Sequence, residues 1–198
     1  PEALATSETE AVAATGKISG AVALKVQSPD ILHKTEAGAV ALGLSGEAAV
    51  REGYRLVLGR ALAAHPGARI DGVLVQAMAR RGHEMILGIT RDPDFGPMLM
   101  VGLGGIHVEV LRDVAFAPVP LGAEEALALL DQLKGAALLD GVRGEPAADR
   151  TALAELMVAL SRFAADHADA IEEIDLNPVI VHAAGEGLTI VDALIVKK

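Results

Sequence analysis

The sequence predicts an α+β or mixed α/β fold, α+β being preferred, arranged as one domain or two small lobes. Strand-length apolar runs come in neighbouring groups instead of alternating one by one with helices, which disfavours a doubly wound parallel sheet. At 198 residues and 52% hydrophobic, the chain can bury a real core. No internal repeat or low-complexity linker divides it. A short basic turn at Arg80-Arg81-Gly82 follows an apolar strand and marks a seam, near Gln76 to Gly82, at which two lobes would hinge around a ligand.

The elements follow in order. Thr6 to Ala14 is Ala-rich, carries Glu8 and Glu10 early and is followed by Gly16, the pattern of a short helix. Ala21 to Val26 is an apolar run with a single charge, Lys25, and reads as a buried strand. Gln27 to Gly38 is a polar loop around Pro29, after which Ala39 to Leu44 resumes as strand. From Glu47 to Ala64, Val50, Tyr54, Val57, Leu58, Ala61 and Leu62 recur at helical spacing until His65-Pro66-Gly67 stops them. Gly72 to Ala77 and His83 to Thr90 are strands, the second turning at Asp92-Pro93. Strands at Met98 to Val101, Val108 to Leu111 and Val114 to Val119 precede amphipathic helices over Glu124 to Leu133 and Asp149 to Ala165. The end returns to strand at Ile171 to Leu176, Val179 to His182 and Leu188 to Ile195, with a turn at Asn177-Pro178.

Composition narrows the function. Lys and Arg number 17 against 27 Asp and Glu, a net charge of −10, which excludes a chain built to coat nucleic acid. With Cys 0 there are no disulfides, thiolate nucleophiles, iron–sulfur clusters or cysteine zinc sites. Three Phe, one Tyr and no Trp leave no stacking platform for bases. The longest mostly apolar uncharged run, Pro97 to Val108, falls short of the roughly 20 residues that cross a bilayer. The opening PEALATSETE lacks the basic start and apolar run of a secretory signal. A cytoplasmic protein with no membrane or nucleic-acid partner is expected.

Several residues are candidates for chemistry. Lys25 interrupts a buried strand, and an ammonium is costly to remove from water unless an anion meets it. It either points to solvent by alternation or reaches a phosphate. His33 and Lys34 lie in a loop ending at Gly38, where two cationic side chains suit a phosphate or a plain surface. Gly102-Leu-Gly-Gly105 and Gly141-Val-Arg-Gly144 match neither the P-loop nor the dinucleotide pattern and are equally well ordinary turns. The strongest constellation is Glu173-Ile-Asp175-Leu-Asn177-Pro178 with Asp192 in the middle of the last strand. Alternation places Glu173, Asp175 and Asn177 on one face, and such hard oxygens suit Mg²⁺, which takes one or two carboxylates and completes its shell with phosphate and water. A polar edge strand closed by a turn would read the same way. Glu84 and Glu109 sit in apolar surroundings as acceptors or as the polar side of a strand. His65, His167 and His182 read as surface or helix-end residues. No H-x-x-x-H pair or G-x-S-x-G elbow occurs.

Taken together, ALKVQSPDILHKTEAGAV, GVLVQAMARRGHEMILGITRDPDFGP, MVGLGGIHVEVLRDVAFAPVPL, GVRGEPAADR, EIDLNPVIV and VDALI, in that order from about Val22 to Ile195, resemble one family. It is the ATP-grasp domain of ADP-forming acyl-CoA synthetases, or NDP-forming acetate–CoA ligases, relatives of the succinyl-CoA synthetase β subunit. The resemblance implies an ATP-grasp fold of two α/β lobes, residues 1–77 and 78–198, with the nucleotide cleft between them and the metal site in the second. It implies ATP or ADP and Mg²⁺ as ligands. By the same resemblance Lys25 contacts the nucleotide phosphates, Ser28 to Gly38 with Lys34 covers them, and His33 passes a phosphoryl group. Gln76, Ala77 and Met78 lie against adenine, followed by the acid Glu84. Asn177 and Asp192 hold magnesium, with Glu173 or Asp175 assisting. The implied reaction interconverts acyl-CoA, ADP and phosphate with acid, CoA and ATP through phosphohistidine. The CoA-binding, phosphohistidine-bearing module is then a partner domain or subunit, the full enzyme is an oligomer, and this chain alone is inactive. Gly38-Ala39 stands where the family has two glycines, which is expected to stiffen the loop or weaken nucleotide binding. The family's region also begins earlier, so the first lobe is expected to be truncated at its start. Another reading of the same resemblance is a regulatory ATP-grasp-like domain fused to a protein acetyltransferase. A purely structural module is a third, against which Lys25, Asn177 and Asp192 count.

Overall fold

A computed structural model describes residues 1–31, 37–105, 112–142 and 144–198. The chain divides into two compact units, Pro1–Met78 and Ala79–Lys198. In the first, strands β1 (Glu2–Ala5), β2 (Val22–Gln27), β3 (Val40–Leu44) and β4 (Gly72–Ala77) form one sheet ordered β1-β4-β2-β3. Helices α1 (Glu8–Thr15) and α2 (Glu47–Ala64) pack on one of its faces. Ser7 caps α1 by accepting from the Glu10 amide at 3.2 Å, and α2 turns Val50, Tyr54, Val57 and Ala61 inward against Val22, Leu24, Val26, Val73 and Val75. Every strand pairing in the sheet is antiparallel. β1 carries no alternation long enough to announce it; it forms because Glu2 to Ala5 pairs with Gln76 to Val73.

The second unit has the same plan at larger scale. Strands β5 (His83–Asp92), β6 (Gly96–Leu103), β7 (Val114–Pro118), β8 (Ile171–Val181) and β10 (Ala193–Lys197) form an antiparallel sheet ordered β10-β8-β5-β6-β7, and β9 (Leu188–Ile190) pairs with β8. Helices α3 (Ala123–Asp131) and α4 (Arg150–Asp166), with a short 3-10 turn at Ala136–Asp140, cover one face. Met85, Leu87, Ile89, Leu99 and Val101 meet Leu129, Leu130, Leu153 and Met157 there, all buried. Burying each such side chain stabilises the unit by about 1.5–3 kcal/mol before the entropy of ordering it is subtracted.

The expected strand at Val108 to Leu111, with Glu109, lies outside the described residues. Two other expectations are corrected. Asn177-Pro178 does not close a strand: β8 runs unbroken from Ile171 to Val181 and changes partner there, from β10 before it to β9 after it. Asp192 is not mid-strand either, because Leu188 to Ile195 breaks between β9 and β10 at Val191-Asp192.

Candidate functional site

Register decides where Lys25 points. Val22, Leu24 and Val26 enter the core beneath α2, so Ala23, Lys25 and Gln27 occupy the face away from the helices. Lys25 lies between Val40 of β3 and Leu74 of β4 and is only 5% exposed, so a solvent-facing lysine is ruled out. Gln76 shares that face: it stands opposite Ala23, and its amide donates to Glu2 Oε2 at 2.6 Å. Ala77 and Met78 are held by main chain, their amides donating to the Pro1 and Ala21 carbonyls at 3.1 and 3.2 Å. His33 and Lys34 lie outside the described residues. Where that segment rejoins β3, Gly38 takes a left-handed φ of +62° and Ala39 is fully buried in the core. The extra methyl at Ala39 thus fills core space, and the left-handed turn falls on the glycine.

In the second unit the candidate oxygens gather where the strands lose regularity. Leu176 packs into the core, so Asp175 and the exposed Asn177 lie on the face away from α3 and α4. The Asn177 amide donates to the Asp192 carbonyl at 3.2 Å, and the Val191 amide donates to the Pro178 carbonyl at 3.0 Å. These two bonds lay the break between β9 and β10 directly beside the partner change in β8. One Asp192 carboxylate oxygen accepts from the Ala193 amide at 3.0 Å. Asp175 pairs in register with Gly88 of β5 and Leu194 of β10, and Glu84, four residues before Gly88, sits on the same side of β5. The donor set is an amide and carboxylates, all hard oxygen. Among the described residues no group of three or more His, Cys, Asp and Glu could hold a metal by itself. That composition fits Mg²⁺ completed by phosphate oxygens and water, and not a zinc-type cage.

The first glycine motif proves to be a packing device, whereas Gly144 of the second has a positive φ of +88° with open space around it, as in a turn. A Cβ at Gly104 would lie 2.8 Å from the Glu84 carbonyl carbon, and the Gly104 amide donates to the Glu84 carbonyl at 2.6 Å. At Gly105 a Cβ would meet Glu84 Oε2 at 2.9 Å. The pair therefore seats the Glu84 side chain. In Gly141 to Arg150, Asp149 caps α4, accepting from Ala152 at 3.0 Å, and its other oxygen accepts from Gly185 and Gly187 at 3.0 and 2.9 Å. Those amides hold its carboxyl below the usual carboxylate range, led by the Ala152 and Gly187 bonds against partial desolvation. Arg150 pairs with Asp131 and Asp140. His182, expected at the surface, is 3% exposed.

Comparison with known proteins decides the family. Residues 1–196 match the ATP-grasp domain. The chain belongs to the ATP-grasp family. It is 39% identical to the acetate–CoA ligase [ADP-forming] II subunit beta of Pyrococcus furiosus, over 100% of this chain and 84% of that one. It is 41% identical to the 4-hydroxybutyrate–CoA ligase [ADP-forming] of Nitrosopumilus maritimus, over 97% of this chain but 27% of that protein. The ATP-grasp chain thus spans about a quarter of such single-chain ligases and most of the separate β subunit. The solved structure of the dinucleotide-forming acetyl-coenzyme A synthetase 1 of Ca. Korarchaeum cryptofilum, in complex with coenzyme A, Ca-AMPCP and HgCl+, superposes with a TM-score of 0.92. It is 39% identical, covering 100% of this chain and 85% of that one. The expected α+β ATP-grasp fold is the fold observed. No helix among the described residues is long and apolar enough to cross a membrane.

Proposed function

We propose that this ATP-grasp chain supplies the nucleotide- and magnesium-binding part of an ADP-forming acyl-CoA ligase. The observation that carries the reading is the pairing of Asn177 with Asp192 across the β9–β10 break, beside Asp175, on the helix-free side of a sheet. Asn177 and Asp192 hold the ion from the protein side and Asp175 assists. The metal, when bound with the nucleotide, neutralises phosphate charge. Lys25, fixed on an unbroken strand, neutralises further charge on the phosphates, where an ammonium already desolvated by the fold interacts strongly with an anion. Gln76 to Met78 lie against adenine, and Glu84 follows them as a hydrogen-bond acceptor. Lys34 covers the phosphates, and His33 passes the phosphoryl group between a phosphohistidine and ADP. In the first transfer the N–P bond of the partner's phosphohistidine breaks as an N–P bond to His33 forms; in the second the His33 N–P bond breaks as the P–O bond to the ADP β-phosphate forms.

The complete reaction converts acyl-CoA, ADP and phosphate into acid, CoA and ATP. It needs a partner module that binds CoA and carries the phosphohistidine, and this chain alone does not perform it. The solved relative binds a nucleotide analogue with calcium, as well as coenzyme A, which accords with a divalent ion at such a nucleotide. We infer a cytoplasmic, oligomeric ligase as its setting. Calorimetric titration of ADP and ATP, with and without Mg²⁺, tests the assignment. Binding that Mg²⁺ strengthens, and that loses this enhancement in Asp192→Ala, is expected. No binding at millimolar nucleotide, with the partner module present, would overturn it.

A further inference from the structure

His182 has a place in the second unit that neither the packing of the core nor the proposed ligand set accounts for. It directly follows β8, is buried, and uses every polar atom it has. Nδ1 lies 3.3 Å from the Arg81 carbonyl and Nε2 lies 2.8 Å from Thr189 Oγ1. A carbonyl can only accept, so Nδ1 carries the proton, and in the neutral ring Nε2 accepts from the Thr189 hydroxyl. The His182 amide donates to the Gly187 carbonyl at 3.0 Å, and its own carbonyl accepts from the Asp149 amide at 2.8 Å. One buried ring therefore joins two stretches of chain. Arg81 stands three residues before Glu84, and Thr189 stands three residues before Asp192.

Downstream of Thr189, β9 is tied back to β8 by the Val191-to-Pro178 and Asn177-to-Asp192 bonds. A shift of β9 along β8 would move Asp192 relative to Asn177. We propose that His182 is a positioning residue for the metal–nucleotide site: through Thr189 it fixes β9 so that Asp192 lies beside Asn177, and through Arg81 it fixes the entry to the strand bearing Glu84. This inference rests on the metal reading of Asn177 and Asp192. Side chains that hold ligands from behind in this way commonly govern metal affinity without touching the ion.

The test uses the full chain and Mn²⁺ as a paramagnetic substitute for Mg²⁺, its binding in the presence of ADP followed by electron paramagnetic resonance. Thr189→Val keeps the shape and removes the hydroxyl; it is expected to raise the Mn²⁺ concentration for half-saturation about tenfold. ADP binding without metal should stay within about twofold of wild type, less than the loss of one typical hydrogen bond. Thr189→Ser, which restores the hydroxyl, should return Mn²⁺ binding to near the wild-type value, and His182→Gln should follow Thr189→Val. Met157→Ala, a destabilising change in the α4 core, serves as the control and should lower the melting temperature without moving half-saturation. If Thr189→Val and His182→Gln leave Mn²⁺ binding unchanged while Asp192→Ala weakens it, the positioning role is overturned and the metal assignment stands. The positioning role also fails if Met157→Ala weakens Mn²⁺ binding as much as Thr189→Val does. If Asp192→Ala has no effect either, the metal assignment itself is wrong.

Discussion

In the first unit Lys25 is placed by alternation: β2 pairs on both sides of it, with Val40 and with Leu74, and although the pairing with β3 shifts register between Val22 and Leu24, alternation along β2 turns Lys25 away from the helices. In the second unit Asn177 and Asp192 are placed by irregularity, where β8 exchanges β10 for β9 and the last stretch of chain breaks. The two arrangements suit two tasks. An ammonium on a closed strand is held in one place, so its charge is presented at a fixed point of the sheet face. Ligands for a hard ion must converge from separate segments and leave coordination positions open, which a flat pleated strand does not provide. The contrast teaches that the cation is a property of one strand, whereas the oxygen site is a property of three strands and the bonds between them.

The sharpest way to break the contrast is at Lys25. Lys25→Met keeps the apolar stem and removes the charge, and ADP affinity should fall about 10- to 100-fold, the value of a charge-assisted hydrogen bond. Asp192→Asn should raise the Mg²⁺ needed to support nucleotide binding about tenfold, read by calorimetry across a Mg²⁺ series, with metal-free binding unchanged. At Gly104→Ala the effect is expected in stability and not in binding. Its Cβ would press within 2.8 Å of Glu84 main chain, and overpacking of this kind costs about 1–3 kcal/mol, visible as a lowered denaturation midpoint.

Asp149→Asn, which keeps one acceptor oxygen for the three amides the carboxylate serves, should lower the denaturation midpoint at neutral pH and leave a distinct signature in acid. The folded-state value of the Asp149 carboxyl lies below its unfolded value, so its contribution to stability is fully present above the unfolded value near about 4. It is lost as pH falls through the lower folded value. Melting curves across that range should therefore fall less steeply with acid in the variant than in wild type.

How much was legible follows the same division. The α2 limits of Glu47 to Ala64 and the β4 limits of Gly72 to Ala77 can be read directly, because periodicity and the His65-Pro66-Gly67 stop are local signals. The inward alternation of Ile174 and Leu176, which turns Asp175 and Asn177 outward, is local too. The bond between Asn177 and Asp192 is not, for a proline in an apolar run signals a turn as readily as a change of strand partner. Nor is β1, which exists only through its pairing with β4. His182 reads as a surface residue for the same reason: its partners, Arg81 and Thr189, are distant or unremarkable in sequence. The glycines of Gly102 to Gly105 were visible, but their purpose as a seat for Glu84 depends on which strand lies beneath them.

The most direct measurement is ADP affinity as a function of Mg²⁺ concentration for wild type, Lys25→Met and Asp192→Asn side by side. The account predicts that Lys25→Met weakens binding by a similar factor at every Mg²⁺ concentration, whereas Asp192→Asn matches wild type without Mg²⁺ and falls behind as Mg²⁺ rises. Identical curves for all three proteins, or a Mg²⁺ dependence untouched by Asp192→Asn, would contradict it.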